Sequence, residues 1–169
     1  MSLLVKGQAQ GREIVKVTPA SAGWKHVGFE AFRLVPGERL QLILPADREG
    51  CLVVLTGSAD VLAGSQRFPR LGGRASVFDE RSPDAVYAPP GARLEIAAHD
   101  TVELALATAP ASGRLPIRLI SAAGMQRSIR GRGSNTRYIC DILPESEPAE
   151  SLLVVEVVTP AAHSSSYPP

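Results

Sequence analysis

No run in this sequence is long enough to become a substantial helix before a glycine, a proline or a polar turn cluster interrupts it. The 15 glycines and 14 prolines are scattered through the 169 residues. The stretches between them are short and rich in Val, Leu, Ile and Ala, which is the punctuation of an all-β chain. Alternation of apolar and polar residues predicts strands over residues 13–18, 29–35, 39–45, 51–57, 59–64, 74–78, 85–90, 93–98, 102–109, 117–121, 136–143 and 151–159. In "RLQLILP" Leu40, Leu42 and Leu44 alternate with Arg39, Gln41 and Ile43, and in "RLEIAA" Leu94 and Ile96 alternate with Arg93 and Glu95, so each segment presents one face to a core. About a dozen short strands, with turn signals such as "VPGE", "TGSA" and "PPGA" roughly every 8 to 12 residues, predict a sandwich or a jelly-roll barrel.

Charge and composition exclude several partners. The 18 Lys and Arg residues nearly cancel the 17 Asp and Glu, so no basic surface is at hand for nucleic acid or an acidic membrane. No apolar run approaches the roughly 20 residues of a membrane helix. The start, "MSLLVKGQAQGRE", lacks a long apolar segment and a small-residue cleavage site, so a cytoplasmic protein is the expectation. The two cysteines, Cys51 and Cys140, sit inside apolar runs with no CxxC spacing; they read as buried thiols rather than a disulfide or a zinc site.

The texture changes at "APASGRLPIR". The expected organisation is a complete barrel over residues 1–108, a linker over 109–118 and the opening strands of a second unit over 119–169. Five arginines follow close together, Arg118, Arg127, Arg130, Arg132 and Arg137. A guanidinium offers a planar fork that grips a carboxylate, yet charged runs beside a linker commonly face solvent or pair across an interface. Both readings stand for Arg130 and Arg137.

Two stretches are more specific. "SPDAVYAPPGARLEIAA" resembles the second motif of the cupin superfamily, in which a Pro-x-Gly turn precedes a metal-ligating histidine, and "EGCLVVLTGSADVLAG" resembles the end of the first motif, where an acidic ligand precedes a strand and hairpin. The resemblance implies a double-stranded β-helix, the cupin jelly roll. At the histidine position this chain has Leu94; at the acidic position it has Gly50, with Glu49 one residue out of register and hence on the other face of a strand. A transition metal needs three or four N, O or S ligands converging on one point, so this barrel is expected to hold none. His26, His99 and His163 read as loop and turn residues.

The order of motifs, "FEAFRLVPGE", "VVLTGSADV", "SVFDERSPDAVYAPPG", "RGRGSNTRYICDILPE", "LLVVEVVTP" and "SSYPP", resembles the N-terminal part of the 5-deoxy-glucuronate isomerase family. These are bicupin enzymes of myo-inositol breakdown, related to the 5-keto-4-deoxyuronate isomerases. The resemblance implies an aldose–ketose isomerisation, 5-deoxy-glucuronate to 5-dehydro-2-deoxygluconate. It also implies a divalent metal, zinc or similar, held by the C-terminal cupin half, where a His-x-His pair would follow "SSYPP". This chain is therefore expected to stop before its metal motif, to carry no cofactor and no catalytic residue of its own, and to be inactive alone. The substrate-binding candidates are Arg130, Arg137 and Tyr167, the last beside the expected ligand pair. Val155 stands where the family pattern has glycine. The competing reading is a non-catalytic cupin module that binds a sugar acid or a partner subunit. The apolar "LLVVEVV", a strand with nothing after it to pair with, predicts a homodimer.

Overall fold

The computed structural model describes residues 4–165. Its strands are β1 (Glu13–Val17), β2 (Gly28–Leu34), β3 (Arg39–Ile43), β4 (Arg48–Ala63), β5 (Gln66–Arg74), β6 (Ala85–Ala88), β7 (Arg93–Ala98), β8 (Val102–Pro110), β9 (Arg118–Ile120), β10 (Gln126–Arg130), β11 (Arg137–Leu143) and β12 (Val154–Val158). One helical turn, α1 (Pro19–Ala22), is capped by Thr18, whose side chain accepts from the Ser21 amide. No helix among the described residues is long and apolar enough to cross a membrane.

The long strand β4 organises the barrel because it belongs to two sheets. Its first half pairs antiparallel with β8 and β6, in the order β1-β2-β8-β4-β6-β9. Its second half pairs with β5 and β7, and β7 pairs in turn with β3. The strand changes sheets at a bulge around Gly57, where the register against β8 and then β5 slips. Gly57 has φ +71°, and a Cβ there would lie 2.2 Å from the Thr101 carbonyl oxygen, so no larger residue fits. Asp100 closes the bulge by accepting from the Ser58 amide at 2.7 Å and the Ser58 hydroxyl at 2.8 Å. The extra residue also flips side-chain parity. Leu52 and Val54 point into the barrel before the bulge, and Ala59, Val61 and Ala63 after it. The result is a jelly-roll barrel of the cupin type.

The barrel interior is filled. Phe32, Leu34, Leu40, Leu44, Leu94, Ile96, Val102, Leu104 and Leu106 join the β4 residues in one apolar cluster, consistent with the alternation in "RLQLILP" and "RLEIAA". A second cluster lies outside the barrel wall. Cys51 and Val53, Ala85 and Tyr87, and Ala105 and Ala109 face outward from β4, β6 and β8. They pack against Ile120, Cys140, Ile142, Leu143 and Leu152. The last four lie in or beside a three-stranded antiparallel sheet, β10-β11-β12, laid against that wall. One sheet of the barrel is thus buried on both faces, which is why "CLVV" and "AVYA" are continuously apolar.

Several expectations need correction. Residues 51–57 and 59–64 are not two strands joined by a "TGSA" turn; they belong to the single bent β4. The strand expected at residues 74–78 is absent: Arg74 ends β5 and the chain turns over residues 75–80. Instead "QRFPRLGGR" forms β5, masked in the sequence by Pro69, Gly72 and Gly73, which an edge strand with bulges tolerates. The arginine-rich stretch also contains a strand that alternation does not reveal, β10, because all five of its residues are exposed.

Leu94 occupies a position with no exposure in the middle of the interior. Leu94→Ala is expected to lower unfolding stability by about 2–5 kcal/mol, by lost burial plus the cavity left behind, measurable by urea denaturation.

Candidate functional site

The seam between the barrel wall and the small sheet contains heavily bonded polar groups, Glu49 and Arg74 foremost. Glu49, at the start of β4 and fully buried, turns its carboxylate away from the barrel interior. It accepts three consecutive backbone amides from the segment leading into β12: Glu150 at 2.9 Å, Ser151 at 2.7 Å and Leu152 at 2.7 Å. The Tyr87 hydroxyl donates to it at 2.6 Å. Burial, and then the bond to this carboxylate, pushes the Tyr87 phenol well above its usual range, so it stays a donor. Further along the seam Arg74, also buried, makes a bidentate pair with Glu156 of β12 at 2.8 Å for both contacts, and donates to the carbonyls of Leu55 and Arg81. Charge-assisted bonds of this kind are strong and directional. Together they fix both ends of the approach to β12 against the barrel.

Glu150 binds in the other direction. Its carboxylate accepts the amides of Ser112, Gly113 and Arg114 at 2.7–2.8 Å, tying down the loop between β8 and β9. Those amide bonds, that from Arg114 foremost, hold its carboxyl below the usual glutamate range.

The arginines are placed unequally. Arg130 and Arg137 are direct cross-strand partners on β10 and β11. Arg130 lies 3.6 Å from Asp141, and Arg137 donates to the Ser165 carbonyl at 2.6 Å. Arg127 donates to the Glu80 carbonyl, across to the barrel. Arg118 stacks over the Tyr87 ring at 4.6 Å and faces Glu147 at 3.8 Å. Tyr167 lies outside the described residues. A cleft of about 320 Å³ opens between β9 and the small sheet, rimmed by Ser121, Gln126, Asp141 and Glu147; neither Arg130 nor Arg137 lines it.

The donor set does not fit a transition metal. Leu94 at the cupin histidine position is packed in the apolar interior. A Cβ on Gly50, at the acidic position, would meet Leu44 and Leu106 at 3.0–3.2 Å. Glu49 faces the seam. Among the described residues no three His, Cys, Asp or Glu side chains gather into a metal-binding group. The cysteines are free and buried, and burial pushes the Cys51 thiol up to about 12 and raises Cys140, so both are poor thiolate ligands at neutral pH. His99 is bonded at 2.6 Å to Asp60, whose carboxyl is held well below its usual range first by Arg67 and then by His99. His163 sits 3.1 Å from the Thr136 carbonyl.

A family model described as the KduI/IolB family matches residues 3–169. The chain belongs to the KduI/IolB family. It is 45% identical over 156 residues to a 5-deoxy-glucuronate isomerase of Geobacillus thermodenitrificans, covering 92% of this chain and 57% of that protein. It is 40% identical over 173 residues to the Bacillus velezensis protein of the same name, covering 99% and 64%. Among solved structures, an IolB-like protein from Salmonella typhimurium LT2 superposes with TM-score 0.93 at 41% identity, over 99% of this chain and 64% of that one. The chain therefore spans less than two thirds of the length of these KduI/IolB relatives.

Sequence reasoning placed Glu49 on the outward face but gave it no role, and missed Arg74. The one available signal was a lone carboxylate opening a strand that is otherwise apolar on both faces. Glu49→Ala leaves four donors without their acceptor, those of Tyr87 and Leu152 buried, and is expected to cost about 3 kcal/mol or more, against about 1 kcal/mol for Tyr87→Phe, by chemical denaturation. Because the folded-state pKa of Glu150 is depressed, its contribution is present above the ordinary glutamate value of 4.5 and is lost as pH falls through the lower folded value. The stability difference between the native chain and Glu150→Gln should therefore shrink on acidification below pH 4.5, as read from melting curves across that range.

Proposed function

We propose that this chain serves the isomerisation of 5-deoxy-glucuronate to 5-dehydro-2-deoxygluconate, a step of inositol degradation in the cytoplasm, as its scaffold portion, and that it does not turn the sugar acid over by itself. Membership of the KduI/IolB family and the isomerase relatives at 37–45% identity support the reaction class. The single observation that carries the scaffold reading is the barrel interior, closed by Leu, Val, Ile and Ala side chains where cupin ligands would stand. An aldose–ketose isomerisation moves a proton between adjacent carbons and needs a base and an electrophile at the carbonyl oxygen. Neither is supplied by an apolar interior; in the seam Glu49 is bonded to Tyr87 and to the approach to β12, Arg74 to Glu156 of β12, and Glu150 to the loop between β8 and β9.

In this reading Arg130 and Arg137, side by side on the small sheet, meet the substrate carboxylate, with Tyr167 close in sequence to the expected ligand pair. The purified chain, supplied with zinc or manganese and 5-deoxy-glucuronate, is expected to give no isomerisation above the protein-free rate, by NMR of the sugar acid. Metal-dependent turnover would sink the scaffold reading. Binding of the sugar acid without turnover, abolished by Arg130→Ala with Arg137→Ala, would favour the non-catalytic binding module instead.

A further inference from the structure

The second half of β4 lies with β5, β7 and β3 in the sheet that closes the barrel opposite the wall carrying the small sheet. Its outer-face residues alternate with the interior Leu40, Val61, Leu94 and Ile96, and the register sets them in two rows. Arg39, Ala97 and Asp60 form one row across β3, β7 and β4; Gln41, Glu95, Leu62 and Arg67 form the other, which extends to β5. Ala97 reaches less far than the long side chains around it, and the rows enclose a groove of about 550 Å³ with Ala97 and Leu62 as its apolar floor.

The charges of this sheet do not balance. Arg39, Arg67, Arg70 and Arg93 stand against Asp60 and Glu95, in a chain whose net charge is only +1. Asp60 is fully engaged: it accepts from Arg67 at 2.8 Å and from the Arg70 amide at 2.9 Å, and is bonded to His99 at 2.6 Å. The amide bond holds Arg70 at φ +49°, in the bulge of β5. Glu95 accepts from Gln41 at 3.3 Å. The side chains of Arg39, Arg70 and Arg93, by contrast, make no hydrogen bond or ion pair among the described residues.

We propose that this groove is a binding site for a small hydroxylated carboxylic acid, the size of a hexuronate, on the outer wall of the barrel. The inference is independent of the isomerisation reading, since it uses another face of the molecule and none of the same residues. An unpaired guanidinium offers a carboxylate two parallel donors, and Arg39 is the unpaired arginine that lines the groove. Glu95 and Asp60 would repel a ligand charged throughout, but they accept from hydroxyls, while Gln41 and Arg67 donate to hydroxyl oxygens. Arg70 and Arg93 at the margins bias the local field toward an anion. Ala97 and Leu62 meet the carbon-bound face of the ligand.

Titration of the isotope-labelled chain with sodium glucuronate, followed by amide NMR, is expected to give saturable shifts at millimolar concentration in β3, β7 and the second half of β4. Glucose, which lacks the carboxylate, and acetate, which lacks the hydroxyls, are each expected to bind at least about tenfold more weakly. Two positions on the outer face supply variants that leave the barrel interior packed. Arg39→Ala removes the fork and is expected to weaken glucuronate binding about tenfold or more. Ala97→Leu fills the floor with every charge kept, and is expected to abolish binding. The chain carrying Arg130→Ala with Arg137→Ala is expected to bind at the groove as the native chain does, so failure of the small-sheet site and failure of this one are told apart. A native chain without saturable shifts overturns the proposal, as do shifts confined to the small sheet and removed by that double change. So does binding that Arg39→Ala and Ala97→Leu leave unaltered, or a response that glucose or acetate reproduces at the same concentrations.

Discussion

Glu49 accepts hydrogen bonds from three successive amides of a segment about a hundred residues further along the chain, and the docking of the small sheet depends on it. A buried carboxylate is costly unless its lone pairs are met, and breaking such a set from one side leaves the remaining groups stranded. The apolar seam around it could tolerate sliding, since contacts between Cys51, Val53, Ala85 and Ile142 carry little direction. The carboxylate, with the Arg74–Glu156 pair further along, turns a greasy contact into a defined register. Whatever the exposed face of β10, β11 and β12 meets, it meets it in an orientation set by these bonds.

The barrel and the seam divide the labour. Inside, the chain has replaced the positions at which cupins hold ligands with Leu94 and Gly50 and closed the space with neighbouring side chains. Outside, the same wall of β4, β6 and β8 carries polar anchors. Glu49 and Tyr87, which face away from the barrel interior, are thereby fully buried and bonded to each other. Arg130 and Arg137 stand side by side on the small sheet, away from the barrel's centre.

Much of the fold was legible because strand periodicity is a local property. Leu40 and Leu44, and Leu94 and Ile96, point inward as their alternation requires. The failures have physical causes. The turn-like "TGSA" is a bulge within β4, since a glycine at positive φ serves a turn or a bulge equally well. The strand β5 was hidden because Pro69 and two glycines are acceptable at a sheet edge. The strand β10 carries no buried residue, and so no pattern for periodicity to find. Of the candidate site, the sequence grouped Arg130 and Arg137 only by nearness in the chain; that they face each other across β10 and β11 comes from the register of those strands. Their partners, Asp141 and the Ser165 carbonyl, depend on register and on the path of the chain beyond β12.

By itself the sequence determined the all-β class and narrowed the architecture to a sandwich or a jelly-roll barrel, because strand alternation and turn signals lie in residues close together in the chain; the cupin jelly roll and the two positions filled by Leu94 and Gly50 followed from the resemblance of two motifs. Only the tertiary structure decided that one wall of the barrel is buried twice and that Glu49 and Arg74 are the bolts of that seam. Those features arise between residues many tens of positions apart. Whether a carboxylate is solvated or enclosed is set by what the rest of the chain brings beside it.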